Sequence, residues 1–177
     1  MREIFNAMSE TKPVVLELPH FAAPRNSRSS DEWYTPRWIT RSLGKFDLDP
    51  ASSDKVAIQV ASEFYTIKDD GLQKPWRGRV WLNPPFSDIR PWAKRMIHHD
   101  NGIMLCFSRT EAAWFHELVR HCGRVFLVRR RVQFNRPGET NPRACPMGIV
   151  LFPFGESNAE QITSSGIEGI MLWGMQA

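Results

Sequence analysis

The sequence predicts a three-layer α/β domain, and three observations predict it. Short apolar runs alternate with helical stripes from about residue 46 to residue 152. One of those runs, Gly102–Phe107, is apolar throughout, as a strand covered on both faces must be. Between two runs, Ile89, Trp92, Ala93, Met96 and Ile97 fall at i, i+3, i+4, i+7 and i+8, the spacing of a helix with one buried side. Strands that alternate with helices build a sheet held between helical layers.

Bulk properties narrow the class. With 177 residues, 42% hydrophobic and 24% charged, the chain is sized and balanced for one soluble domain with short extensions. No apolar run reaches membrane-spanning length, and no signal-peptide core opens the chain. Cys106, Cys122 and Cys145 are far apart and odd in number. They offer neither a metal spacing nor a disulfide framework, so a reducing cytoplasm and no metal are expected. The net charge of +4 suits a polyanionic partner without selecting one.

Taken in order, residues 1–30 read as a tail. Pro13, Pro19 and Pro24 interrupt it, and Asn26–Ser30 is linker-like. Thr35 is a good N-cap and Pro36 a good first helical residue, so a short helix runs to about Leu43 and stops at Gly44. Trp33 and Tyr34, just ahead of it, either line a pocket or form a buried staple. Phe46-Asp47-Leu48-Asp49-Pro50-Ala51-Ser52 is a short strand broken by a proline. A carboxylate at such a strand end can accept hydrogen bonds from a ribose diol or an ammonium group.

Residues 53–62 are weakly helical, and Asp69-Asp70-Gly71-Leu72 is a turn. A strand covers Arg79–Leu82. After the helix of residues 89–97, His98 and His99 complement its dipole. Phe115, Leu118, Val119 and Cys122 mark the next helix, stopped by Gly123, and Val125–Val128 and Met147–Phe152 are further strands. Arg129, Arg130, Arg131, Arg136 and Arg143 cluster in the basic segment 129–146, as phosphate contacts or as a solvated hairpin. Residues 156–177 form an extension whose stretch Ile167–Trp173 is an edge strand or an interface segment.

Asn83-Pro84-Pro85-Phe86 carries the chemistry. It follows the apolar Val80-Trp81-Leu82. Each proline fixes its own φ and pushes its predecessor toward extended geometry. The corner predicts an Asn83 amide and a Pro84 carbonyl side by side, with Phe86 near. An exocyclic amino group on a base is a poor nucleophile, because its lone pair is delocalised into the ring. Two oxygen acceptors on its two N–H bonds draw that nitrogen toward tetrahedral geometry. An aromatic ring can stack on the base once it leaves the helix. A proline-rich turn with no chemistry is the plainer reading of the tetrapeptide alone.

Together these segments carry a resemblance. Glu32-Trp33-Tyr34-Thr35-Pro36, Phe46–Ser52, Tyr65-Thr66, Asp70-Gly71-Leu72, Trp76, Trp81–Ser87, Pro91-Trp92, Arg109-Thr110 and Trp114-Phe115-His116 resemble phage and prophage DNA N6-adenine methyltransferases over about residues 31–152. The resemblance implies a Rossmann-like, S-adenosylmethionine-dependent methyltransferase fold with a mostly parallel sheet, a domain spanning 31–155, and double-stranded DNA as partner. It implies Asn83, Pro84, Pro85 and Phe86 as the catalytic motif. The implied cofactor contacts are Trp33, Tyr34, Thr35, Pro36, Asp47, Asp49, Pro50, Ala51, Asp70, Leu72 and Asn83, and segment 129–146 is the implied target-recognition loop. One departure stands out: no Phe-x-Gly-x-Gly follows the first strand, so a reduced cofactor site is expected. The rival functions are amino-group methylation of cytosine N4, RNA or a protein glutamine, and a DNA-binding module without catalysis.

Overall fold

Ile103 and Leu105 pack into one apolar cluster, whereas Met104 and Cys106, their neighbours in the same strand, pack into another. That parity is what two-sided burial of a pleated strand produces. The computed structural model describes residues 33–56, 58–135 and 141–174. The tail 1–30, Glu32 and Arg136 lie outside the described residues. Within them run α1 (Arg37–Ser42), β1 (Phe46–Asp49), β2 (Ala61–Phe64), β3 (Val80–Leu82), a 3-10 turn (Phe86–Asp88), α2 (Ile89–His99), β4 (Gly102–Phe107) and α3 (Ala113–Cys122). They are followed by β5 (Arg124–Val128), β6 (Gln133–Phe134), β7 (Arg143–Ala144), β8 (Ile149–Phe154), α4 (Glu156–Ser164) and β9 (Gly169–Trp173).

Seven strands form one sheet in the order β2-β1-β3-β4-β8-β5-β9. One face is covered by α2 and α3 through Ile89, Ala93, Met96, Phe115 and Leu118. The other is covered by Ile39 and Leu43, by Ile162 of α4, and by Val132, Phe134 and Cys145 at the small hairpin β6–β7. The three layers are therefore present. The mostly parallel sheet is corrected to a mixed one. Pairs β2–β1, β1–β3 and β3–β4 are parallel; pairs β4–β8, β8–β5 and β5–β9 are antiparallel. The causes are β8, which inserts between β4 and β5 with reversed direction, and β9, which runs against β5 at the sheet edge. An apolar strand buried on both faces reads the same in either direction, so its residues gave no warning.

Two local expectations also change. Pro36, not Thr35, occupies the N-cap of α1, and no side chain caps the helix. The Thr35 hydroxyl is engaged elsewhere, as described below. The described residues of 53–62 form no helix; β2 begins at Ala61 and pairs in parallel with β1. Segment 156–177 is no loose appendage over its described part. Its α4 buries Ala159 and Ile162, and β9 pairs with all of β5, so Ile167–Trp173 ends in an edge strand. Arg79 ties the layers at the amino end of β3. Its guanidinium donates to the carbonyls of Leu43 and Lys45 and to Asn158 Oδ1, and lies 4.3 Å from the Phe46 ring centroid. Among the described residues no helix is long and apolar enough to cross a membrane.

Candidate active site

Because β1 and β3 are parallel neighbours, their carboxyl ends emerge side by side. Asp49 closes β1 and Asn83 follows β3 at once. In α/β sheets this edge is where ligands bind. A cavity of about 1600 Å³ opens here, and Asp49, Asp70 and Asn83 all line it.

The Asn83 amide has a fixed orientation. Its Nδ2 donates to the Trp33 carbonyl (2.6 Å) and to Thr35 Oγ1 (3.1 Å). A backbone carbonyl can only accept, so the NH₂ end must face Trp33. The opposite atom, Oδ1, is buried with no hydrogen-bond partner. A buried acceptor left open is costly unless something else fills it. Thr35 thus serves Asn83 rather than the helix behind it.

The strip that holds Asn83 is itself held. Tyr34 and Asn135 form an antiparallel bridge, with N···O distances of 2.9 and 3.2 Å. Trp33 meets Phe134 edge to face at 5.9 Å, and Phe134 is fully buried. The strip that orients the Asn83 amide is therefore paired, through Tyr34, with Asn135 inside the basic segment. Asn135 also lines the cavity.

Asp49 is 6% exposed. Burial pushes its carboxyl up to about 7, against the lowering effect of the Ala51 N–H and the Ser52 hydroxyl. Asp47 is exposed, and its Oδ2 accepts from the Arg79 N–H at 2.7 Å. Both acids line the cavity, but Asp47 is committed to the entry of β3, which leaves Asp49 as the carboxylate at the strand end.

Asp70 adopts φ 54° and Gly71 follows it. A Cβ on Gly71 would lie 1.9 Å from the Pro50 carbonyl oxygen, so only glycine fits. Trp76 Nε1 donates to the Gly71 carbonyl at 2.7 Å, and Trp92 lies against the same turn. The loop after Asp49 closes on itself: Ser52 Oγ donates to Gln59 Oε1, Gln59 Nε2 to the Ser53 carbonyl, and Tyr34 Oη to Ser53 Oγ. Gly71 thus lets its turn pack directly against the Pro50 backbone at the cavity wall.

Of the residues expected at the cofactor, Trp33, Tyr34, Thr35, Asp47, Asp49, Pro50, Ala51, Asp70 and Asn83 line the cavity; Pro36 and Leu72 do not. Within the Asn-Pro-Pro-Phe corner, Pro85 lines it and Pro84 is buried. Phe86 is half-buried and stacks on Phe107, with centroids 3.7 Å apart and planes at 27°. One of its faces is therefore already occupied. Phe86 instead borders a second hollow of about 170 Å³.

The arginine cluster divides. Arg129 and Arg130 are 75% and 78% exposed and reach Glu168 at 3.8 and 3.4 Å, weak contacts that leave both heads in water. Arg131 instead braces the hairpin by donating to the Cys145 and Pro146 carbonyls. Arg143 contributes backbone to β7. Sequence reasoning missed Ser53, Gln59, Gly71, Trp92 and Asn135 as cavity-lining residues. Gly71, directly after a turn aspartate, was the one legible signal; Trp92 was hidden inside an ordinary helical stripe.

A mixed α/β sheet with a large cavity at its parallel carboxyl edge, an acid at one strand end and an amide-bearing proline corner at the next, is consistent with a methyltransferase-like α/β fold. Its family follows from sequence comparison: the family model for DNA N-6-adenine-methyltransferase (Dam) matches residues 23–164, and the chain belongs to that family. A DNA N-6-adenine-methyltransferase of Escherichia phage T1 is 31% identical over 137 residues, 72% of this chain and 56% of the relative. The chain thus spans little more than half the length of that relative. No solved structure gives a significant match.

Proposed function

We propose that this protein methylates N6 of adenine in double-stranded DNA with S-adenosylmethionine as donor. The observation that carries the reading is the buried, partnerless Oδ1 of Asn83, turned away from Trp33 by the bonds on Nδ2. An amino N–H is the partner that this oxygen lacks. The Pro84 carbonyl is the second acceptor in the proposal, so that both amino hydrogens are gripped and the nitrogen lone pair is freed. Proton loss follows the transfer and goes to water, so no general base is needed beforehand.

The residues fit the cofactor. The cavity is larger than the few hundred to about 1000 Å³ usual for one small ligand, which leaves room for donor and extruded base together. Asp49, desolvated and next to the Ala51 N–H, suits a ribose diol or an ammonium group. The Asp70–Gly71 turn suits the adenine end. Bound there, the donor supplies an electrophilic sulfonium methyl. Thr35 and the Trp33 carbonyl orient the Asn83 amide, while Arg129, Arg130 and the β6–β7 hairpin face the duplex.

The test is methylation of plasmid DNA, digestion to nucleosides and mass spectrometry. Wild type is expected to yield N6-methyladenine, with Asn83→Ala lower by about 10²-fold or more in kcat, as for other lost transition-state contacts. Methylcytosine as the product, or equal yields from both proteins, overturns the assignment.

A further inference from the structure

The second hollow is not used by the reading above. It lies across the Asn-Pro-Pro-Phe corner from the large cavity, and Ser87 lines both. Phe86, Phe107 and Trp114 are its aromatic lining residues, Arg90 and Arg109 its two basic ones, and Asp88 its one acid. The first turn of α2 and the approach to α3 both border it, and neither helix has a side-chain cap. Arg109 is held at present by an exposed ion pair, its Nε donating to Glu111 Oε1. Glu111 itself does not line the hollow.

We propose that this hollow seats a DNA phosphodiester next to the extruded adenine, with Arg109 exchanging Glu111 for the phosphate and Arg90 as its second cation. The inference rests on the adenine-methylation reading and adds a target-strand contact to it. A guanidinium binds a phosphate as well as it binds a carboxylate, so Arg109 can exchange one oxyanion for the other. An exposed ion pair is weak, so surrendering it to the phosphate is inexpensive. The stacked Phe86–Phe107 pair and Trp114 form a hydrophobic wall against which the sugar of that nucleotide can rest. A contact at this point anchors the strand on the side opposite the methyl donor.

The experiment is duplex DNA binding by fluorescence anisotropy over a salt series, with steady-state KM and kcat, for wild type, Arg109→Gln, Glu111→Gln and Arg120→Gln. Arg109→Gln should weaken DNA binding about tenfold, raise KM for DNA, leave the affinity for S-adenosylmethionine alone, and reduce the salt slope by about one. Glu111→Gln should do the opposite, tightening binding by about two- to fivefold, because it removes the competing carboxylate. Arg120→Gln, at the far end of α3, should match wild type. A structural ion pair would make both Arg109 and Glu111 variants lose affinity together. That result, or wild-type KM and salt slope in Arg109→Gln, overturns the inference while leaving methylation intact. If wild type methylates no DNA, both readings fall.

Discussion

Asp49→Asn separates what the carboxylate does for folding from what it does for binding. Burial moves its pKa from an ordinary 3.8 to about 7. Below pH 4 the acid is protonated in both the folded and the unfolded chain. Between pH 4 and 7 the unfolded chain releases the proton and the folded chain keeps it, so stability falls as pH rises. Above pH 7 both are ionised and the loss is complete. At 1.36 kcal/mol per unit, the penalty at pH 8 is about 4 kcal/mol, a large share of a typical domain's stability. The amide carries no charge to desolvate, so Asp49→Asn should melt about 8–16 °C above wild type at pH 8 and level with it near pH 4. The donor, if it brings an ammonium or a diol to this site, binds the ionised acid. S-adenosylmethionine should then raise the wild-type Tm more at pH 8 than at pH 6, and should not raise that of Asp49→Asn. Differential scanning fluorimetry across pH, with and without the donor, reads both effects. Identical melting profiles for the two proteins from pH 4 to 8 would refute the reasoning.

Three further outcomes are expected. Thr35→Val keeps the shape but removes the acceptor for Asn83 Nδ2. It should lower kcat by about fivefold, one hydrogen bond's worth, with Tm nearly unchanged in fluorimetry. Gly71→Ala forces a Cβ to 1.9 Å from the Pro50 oxygen, about 1.5 Å inside ordinary contact; calorimetry should find donor binding lost or weakened more than tenfold. Phe134→Ala empties a fully buried ring site beneath Trp33 and should cost about 3–5 kcal/mol in urea unfolding.

Much of this arrangement was legible in the residues. Asp49 and Asn83 were readable as strand-end groups because a proline follows each and breaks the pattern just there. The stripe from Ile89 to Ile97 gave α2, and the unbroken apolar run gave β4. What failed to show was long-range. Thr35 satisfies every local rule for a helix cap, but its hydroxyl bonds to a residue 48 positions away. Phe86 is free to stack in the sequence and already stacked in the fold. Segment 53–62 has the composition of a weak helix, but Ala61–Phe64 gain parallel pairing along β1 and extend instead. The direction of β8 was invisible because hydrophobicity has no polarity along a strand.

If the β6–β7 hairpin reads the duplex as proposed, the bridge between Tyr34 and Asn135 has a consequence for fidelity. The residues that would touch foreign bases and the peptide that aims the Asn83 oxygen are stitched by the same two hydrogen bonds. A duplex that sits badly on the hairpin tugs on that stitch and skews the aim of the oxygen. Wrong sequences would thus be refused by slow turnover after docking, not by failure to dock, and discrimination should grow as contact time shortens.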